Sequence, residues 1–373
     1  MGAVTNMDNN HIGYWAYLIH CMGHGRAMNR NELVKTLELV QPALATSGLV
    51  PVFGCFMFTE KAITAFSGDA LAISAPFTTN LKLAIDGRSL LGLLKNTQAE
   101  EVTAKTDKND VTIKTGKSRF TLPFFSDDDF LFEEPNEKWA ASVAITDKLL
   151  KGFEICLVTV SRDQSLPALM GLILDIDNES LYSCDGDAVT RCSIKGEKCK
   201  GKGSYTVPTS FCESLLKICQ STEVFDGKIE LTSNWAKATL ANGFKVFGRV
   251  VPKQKDFNPE ELIETTMVGE MPFVDLPEGF SEALARARVL ADFEGKPTVL
   301  TVFNGKLDML TKSSLGEVDD SMPFKGHDDV EAMVHASLIQ RSLAICDQMS
   351  IRENCTAYRR SDDVLQVVSN VGE

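Results

Sequence analysis

Apolar and polar residues alternate in short stretches over most of this chain, and at intervals the alternation gives way to apolar residues at helical spacing. A period of two predicts half-buried strands, and recurrence at i, i+3, i+4 and i+7 predicts an amphipathic helix. The clearest strand is Gly116-Lys-Ser-Arg-Phe-Thr-Leu122, entered through a glycine turn. Ser118, Phe120 and Leu122 share one face, and Lys117, Arg119 and Thr121 the other. Gly243–Val251 and Val364–Asn370 are similar stretches, each before a break or the end of the sequence. The three read as closing strands of three related modules.

In the first module Leu33, Leu37 and Val40 form one helical stripe over Asn31–Val40. Strands are predicted at Val52–Thr59, Ala62–Ser67, Leu71–Ala75 and Leu81–Ile85. A second helix spans Asp86–Lys95, opened by capping-type residues. Strands at Glu101–Thr106 and Asp110–Thr115 lead into the Gly116 stretch, then an acidic turn at Ser126–Asp129 and a linker at Glu133–Asn136. The second module has a helix over Ile145–Val160 with Thr146 as N-cap, and strands Leu169–Ile176 and Ser180–Cys184 around the turn Asp177-Asn178. Strand Arg191–Lys195 follows, then a basic loop, and Val207–Cys219 as a strand end running into a helix. Lys228–Thr232, Trp235–Leu240 and Phe244–Val251 close it. The third module, from Phe273, has helices at Phe280–Leu290 and His335–Asp347, the latter opened by His335 as a cap. Its strands are Val299–Phe303, Lys306–Thr311, Glu317–Pro323, Val330–Val334, Thr356–Arg360 and Val364–Val368. Helix pairs beginning near 31 and 86, 146 and 208, and 279 and 335 make this a threefold repeat of α+β class. The predicted domains are 30–136, 141–264 and 270–373, with 1–29 as an extension.

The 373 residues exceed what one core usually supports, in keeping with several domains. No apolar run reaches about 18 residues, so no membrane span or membrane partner is expected. Residues 1–29 lack the basic start and cleavage site of a signal peptide. Ten cysteines without a Cys-x-x-Cys pair, several in apolar stretches, read as reduced thiols in a cytoplasmic protein. The net charge of −13 argues against gripping DNA over the whole surface, and leaves room for basic residues gathered on one face.

Taken together, Gly116–Leu122 at the end of the first third, Gly171-Leu-Ile-Leu174, Cys184-Asp-Gly186, Phe257 and Gly305-Lys-Leu307 resemble the bacterial sliding clamp, the β subunit of the replicative DNA polymerase III. The resemblance runs over about residues 30–371. It implies three similar domains, each of two helices packed on antiparallel sheets, and a head-to-tail homodimer closed into a ring. Such a ring encircles double-stranded DNA and tethers a DNA polymerase, is placed by a clamp loader, and has no catalytic residue, metal or cofactor. By the resemblance the bore would be lined by Lys35, Arg88, Lys95, Lys148, Lys151, Lys217, Arg286, Arg288 and Arg341. Arg286 and Arg288 are two apart and do not share a helix face. The subunit seam would join Phe120 and Leu122 to Val289 and Leu290. A partner-peptide pocket would comprise Asp185, Gly186, Val189, Phe257, Pro259, Leu338, Val368 and Val371. Here the chain departs from the family: Asp185-Gly-Asp-Ala-Val189 stands where Asp-Gly-His-Arg-Leu is usual, and Ser369–Glu373 replaces Met-Pro-Met-Arg-Leu. A different partner preference is expected, as in a divergent, phage-encoded clamp. The rival readings are a clamp-like scaffold that recruits replication or repair partners without stable encirclement, and an enzyme with an acidic site at Asp127–Asp129.

Other chemistry is weakly supported. Gly196–Gly203 nearly matches a phosphate-binding loop, but Gly203 stands where Ser or Thr would hold magnesium, and the stretch after it reads as strand. Asp175-Ile-Asp-Asn178 begins like a calcium loop without its glycine or distal glutamate. His20, Cys21 and His24 lack a fourth metal ligand. There is no Gly-x-Ser-x-Gly or His-Glu-x-x-His, and five histidines supply few general bases.

Overall fold

The computed structural model describes residues 27–371 apart from 47–49, 69, 164, 254–256, 268 and 270. The extension's His20, Cys21 and His24 lie outside the described residues. The chain forms two compact units. One comprises the chain up to Asn136 with Lys217–Val224 and Lys237–Gly248; the other comprises Glu137–Leu216, Phe225–Ala236 and the chain from Arg249 onward.

The first unit begins with β1 (Met28–Asn29), α1 (Arg30–Val40), β2 (Cys55–Phe58), β3 (Ala62–Phe66), β4 (Leu71–Pro76) and β5 (Leu83–Asp86). It continues with α2 (Gly87–Lys95), β6 (Glu101–Asp107), β7 (Asp110–Thr115) and β8 (Ser118–Phe125). The strands form one antiparallel array in the order β1-β6-β7-β8-β5-β2-β3-β4. Met28 is buried and pairs with Val102, so the first strand takes in the end of the stretch read as an extension. Asn29 caps α1 by accepting from the Glu32 amide at 3.0 Å, and Leu33, Leu37 and Val40 are buried as the periodicity required. Asp86 caps α2 in the same way through Ser89 at 2.8 Å. The far end of α2 is closed by Arg30, whose guanidinium donates to the carbonyls of Leu94 and Lys95.

The linker is fastened down. Phe132 sits between Phe66 and Phe247, with ring centroids 5.0 and 5.3 Å away. Glu134 accepts from both Lys237 and Lys245. Burial alone would raise the Glu134 pKa, but the two ammonium groups hold it below the usual carboxylate value.

The second unit begins with β9 (Ala141–Ile145), α3 (Asp147–Cys156), β10 (Gly171–Asp175), β11 (Ser180–Cys184), β12 (Ala188–Ser193), β13 (Cys199–Lys200) and β14 (Ser204–Pro208). Next come α4 (Thr209–Thr222), β15 (Gly227–Leu231), β16 (Trp235–Leu240), β17 (Lys245–Arg249) and α5 (Pro259–Thr266); parts of α4, β16 and β17 belong to the first unit. The rest is β18 (Val274–Asp275), α6 (Phe280–Glu294), β19 (Thr298–Phe303), β20 (Lys306–Ser313), β21 (Gly316–Pro323), β22 (Val330–Val334), α7 (Ala336–Leu343), β23 (Gln348–Ile351), β24 (Cys355–Arg360) and β25 (Val364–Ser369).

An eight-stranded sheet runs β14-β10-β11-β12-β25-β24-β23-β18, so strands 170 residues apart in sequence join at β12–β25; a four-stranded sheet runs β21-β20-β19-β22. α3 packs closely on the first of these: a Cβ at Gly152 would lie 2.7 Å from Leu181 Cδ1 and 3.4 Å from the Cys192 sulfur. α5 covers the opposite face. The class is α+β, with helices set against antiparallel sheets. Among the described residues no helix is long and apolar enough to cross a membrane. The nine described cysteines are unpaired and all but Cys199 are buried; burial pushes the Cys55 thiol up to about 12.

Several sequence expectations are corrected. Ile145–Val160 is not one helix: Ile145 ends β9, Thr146 is the N-cap as expected (3.2 Å from the Leu149 amide), and α3 stops at Cys156. The alternation of Ala141, Val143 and Ile145, all buried, is a strand signal that a helix reading overran. α6 continues one turn past Leu290 to Glu294, and α7 is shorter than His335–Asp347. His335 occupies the cap position, but its side chain makes no capping hydrogen bond. The short helix α5 was not anticipated, although Asn258-Pro259-Glu260-Glu261 is a start signal: Asn258 accepts from the Glu260 and Glu261 amides, proline is first and the first turn is acidic. Asn258→Ala should therefore lower stability by about 1 kcal/mol in urea unfolding; no change would mean that α5 needs no cap.

Candidate functional site

The register of β12 and β25 sorts the expected pocket residues onto two faces. Val189 stands opposite Val367, and Ala188 opposite Val368. Opposed residues of an antiparallel pair share a face, and neighbours alternate. Val189 therefore lies with Tyr182, Cys184, Ile263 and Val367 beneath α5, while Val368 points to the other side. Phe257 packs against the α5-side cluster and Pro259 is buried at the start of the helix. These two also line a cavity of about 840 Å³ with Ala168, Ile173 and Lys253.

The remaining pocket residues gather around the turn after β11. Asp185 accepts from the amides of Asp187 (3.1 Å) and Ala188 (2.9 Å), which fixes the turn, and from Arg341 Nη1 at 2.7 Å. Gly186 supplies the positive φ of 102°. Ser369 donates its amide and hydroxyl to the Asp187 carbonyl at 2.8 and 2.7 Å, and Val371 donates to Met333 of β22 at 2.8 Å. Leu338 lies one turn before Arg341 on α7, half-buried. Arg341 thus ties the Asp185–Gly186 turn to α7, the helix that carries Leu338. Arg341, expected among the bore cations, is engaged by the Asp185 carboxylate.

Carboxylates engage several other expected bore cations. Lys95 meets Glu38 at 2.7 Å, and Lys217 donates to the Glu38 carbonyl at 3.1 Å. Lys148 lies 3.5 Å from Asp363. Arg286 makes a two-point contact with Asp320 of β21, and Arg288 pairs with Asp292 one turn on, so the two arginines diverge as their spacing required. Lys35, Arg88 and Lys151 are exposed and make no ion pair among the described residues.

Two of the eight-residue strands, β8 and β21, have one edge largely open among the described residues. β8 pairs with β7 over Ser118–Pro123 but meets β5 only at Phe124 and Phe125. Phe120 and Leu122 stand opposite Ile113 and Val111, half-buried. β21 pairs only with β20. Beside it α6 presents Val289, 72% exposed, and Phe293, 66% exposed, four residues apart on one face. Leu290 is half-buried. Glu294 accepts from the Ser314 amide at 2.9 Å, bringing exposed Leu315 to the end of α6. Phe293 and Leu315 were not anticipated; their only sequence signal is the spacing from Val289 and a turn leucine.

The near-match to a phosphate loop, Gly196–Gly203, leads into β14 and not into a helix. The Asp175–Asn178 stretch is a hairpin turn, with the Asn178 amide donating to Asp175 at 3.0 Å. Asp127–Asp129 is an exposed single turn capped by Ser126, whose amide donates to the Asp129 carboxylate at 3.1 Å. No cluster of three or more metal-ligating side chains occurs among the described residues.

The fold is that of a DNA sliding clamp. Solved structures similar to it include bacterial clamps, the β subunits of DNA polymerase III. One from Pseudomonas aeruginosa is 17% identical with a TM-score of 0.81, covering 94% of this chain and 100% of that one. One from Thermotoga maritima is 15% identical with a TM-score of 0.80 over the same shares. A Helicobacter pylori β clamp bound to a DNA ligase peptide is 14% identical with a TM-score of 0.76, covering 93% and 100%. No family model matches the sequence.

Proposed function

We propose that this protein is a DNA sliding clamp: a homodimeric ring of three clamp domains per chain (30–136, 141–264 and 270–373) that encircles duplex DNA and tethers a DNA polymerase. It acts without catalysis of its own and is placed by a clamp loader. The observation that carries this reading is likeness over the whole length of known clamps, with nothing of their chains left uncovered. The open edges of β8 and β21 support the head-to-tail seam, since exposed edges of this length need a partner. The basic hairpin side of β8 (Lys117, Arg119) complements Glu317 and Asp319 of β21. Lys35, Arg88 and Lys151 are the free helix cations for phosphates. The test is retention on nicked circular DNA with release on linearisation, together with a dimer mass in light scattering. A monomer at micromolar concentration would favour the clamp-like scaffold, a reading to which the neutralised Lys95, Arg286 and Arg288 lend weight.

The partner pocket is proposed to draw on Asp185, Gly186, Leu338 and Val371 and on the cavity lined by Phe257 and Pro259. Asp187 is exposed where the resembling family carries a basic pair, and Ser369 pins that turn. A bacterial clamp-binding peptide is therefore expected to bind at least roughly tenfold more weakly than to a bacterial clamp, a difference of about 1.4 kcal/mol in fluorescence polarisation. Equal binding would sink the altered preference.

A further inference from the structure

Lys195, Lys198, Lys200 and Lys202 stand within eight residues of the hairpin that contains β13, against a single acid, Glu197. All four are exposed, and none forms an ion pair among the described residues. In a chain of net charge −13 this is an unusual concentration. It also contrasts with four of the helix cations of the same unit, Lys148, Arg286, Arg288 and Arg341, each held by a carboxylate.

The hairpin is a built element. Cys199 and Lys200 pair with Val143 and Ser142 of β9, and the Ala144 amide donates to the Lys198 carbonyl at 3.1 Å. Gly196, Gly201 and Gly203 take positive φ, and a Cβ at Gly201 would lie 2.3 Å from the Ala140 carbonyl oxygen, so this turn fits only glycine. Strand alternation puts Lys198 and Lys200 on one side and half-buried Cys199 on the other. Lys148 Nζ donates to the Lys195 carbonyl at 3.0 Å, which sets the hairpin against the first turn of α3 and extends the row through Lys148 and Lys151. The nearby acids are Asp177, which accepts from the Gly203 amide at 3.0 Å, Glu179 beside Cys199, and Asp363 beside Lys148.

We propose that the Lys195–Lys202 hairpin is a sequence-independent contact for the phosphate backbone of duplex DNA. The four lysines are unpaired ammonium groups without fork geometry for base edges, and Tyr205, the aromatic side chain at the hairpin, is held by its hydroxyl on the Lys202 carbonyl at 2.9 Å, so the element reads charge. The proposal rests on the clamp reading and adds to it a second phosphate contact outside the helices.

The experiment uses the full-length protein and a short labelled duplex in fluorescence anisotropy over a salt series. Each lost phosphate contact should lower the slope of log K against log salt by about 0.9, so changing all four lysines to glutamine should lower it by roughly 3 to 4. Lys200→Gln alone should lower it by about 0.9. Unchanged slopes in both variants, with unchanged melting, overturn the proposal. So does better competition by polyglutamate than by duplex DNA, which would assign the hairpin to an acidic protein. Retention on circles separates the two claims. If wild-type protein falls off nicked circles but the slope drops in the variants, the ring fails and the hairpin stands. If circles are retained and the slope is unchanged, the reverse holds.

Discussion

Replacing Phe120 and Leu122 together by aspartate is expected to give folded monomers that no longer stay on circular DNA. Both side chains lie on the open length of β8, where the strand has a partner on one side only. Within their own sheet they are half-buried opposite the buried Ile113 and Val111. The counterparts expected from the sequence are Val289 and Leu290; the exposed apolar side chains on that part of the surface are Val289 and Phe293, with Leu315 beside them, and these are the proposed other side of the seam. Burying one such side chain is worth about 1.5–3 kcal/mol. A closed dimeric ring has two seams, and the substitution alters both. Loss of two apolar contacts per seam then comes to about 6 kcal/mol or more, at least roughly four powers of ten in the dimer dissociation constant. Sedimentation should give half the wild-type mass with an intact cooperative melt. Val289→Asp with Phe293→Asp should do the same from the other side, and since both are exposed on a surface helix that pair cannot act by spoiling a core. If either pair left the dimer intact, the seam would lie elsewhere.

How much of this was legible in the sequence depended on whether the deciding contact was local. α1 and α2 were legible because apolar spacing and capping asparagine or aspartate are written within a dozen residues. β8 was legible because its alternation is uninterrupted. α5 carried its start signal but buries only Pro259 and Ile263, too few positions to make a stripe. The direction of Arg341 was not legible, because the group that turns it, Asp185, is 156 residues away. The expected pocket mixed two faces for a related reason. Along β25, Val367 and Val368 are equally apolar, and only the pairing with β12 says which one looks toward α5; a slip of one residue exchanges the faces. The four lysines of the β13 hairpin read as a plain basic loop, since nothing apolar marks the short strand that stiffens them.

The second large effect is expected at Glu260, whose loss should loosen the helix that covers the pocket side of the sheet. Its carboxylate accepts from the Tyr182 hydroxyl at 2.7 Å and from Arg191 Nη1 at 2.9 Å. Tyr182 is almost wholly buried, and its phenol is pushed above its ordinary value by burial first and then by the bond to Glu260. Glu260→Ala leaves that phenol and a partly covered guanidinium without their shared acceptor. Each orphaned group costs about 1–3 kcal/mol, and because the Arg191–Glu260 pair is about one-third exposed the lower part of the range applies to it. A total loss of about 2–4 kcal/mol in urea unfolding is expected. Glu261→Ala, one residue on and exposed, should change stability by less than about 0.5 kcal/mol. Hydrogen exchange should locate the difference. The amides of α5 should lose protection in Glu260→Ala while those of β11 and β12 keep theirs, because Ile263 and Phe257 would no longer be drawn onto Tyr182, Cys184 and Val189. The same loosening should weaken peptide docking at Phe257 and Pro259 without changing the dimer mass. Equal stability of the Glu260 and Glu261 variants would show that apolar burial alone holds α5 in place.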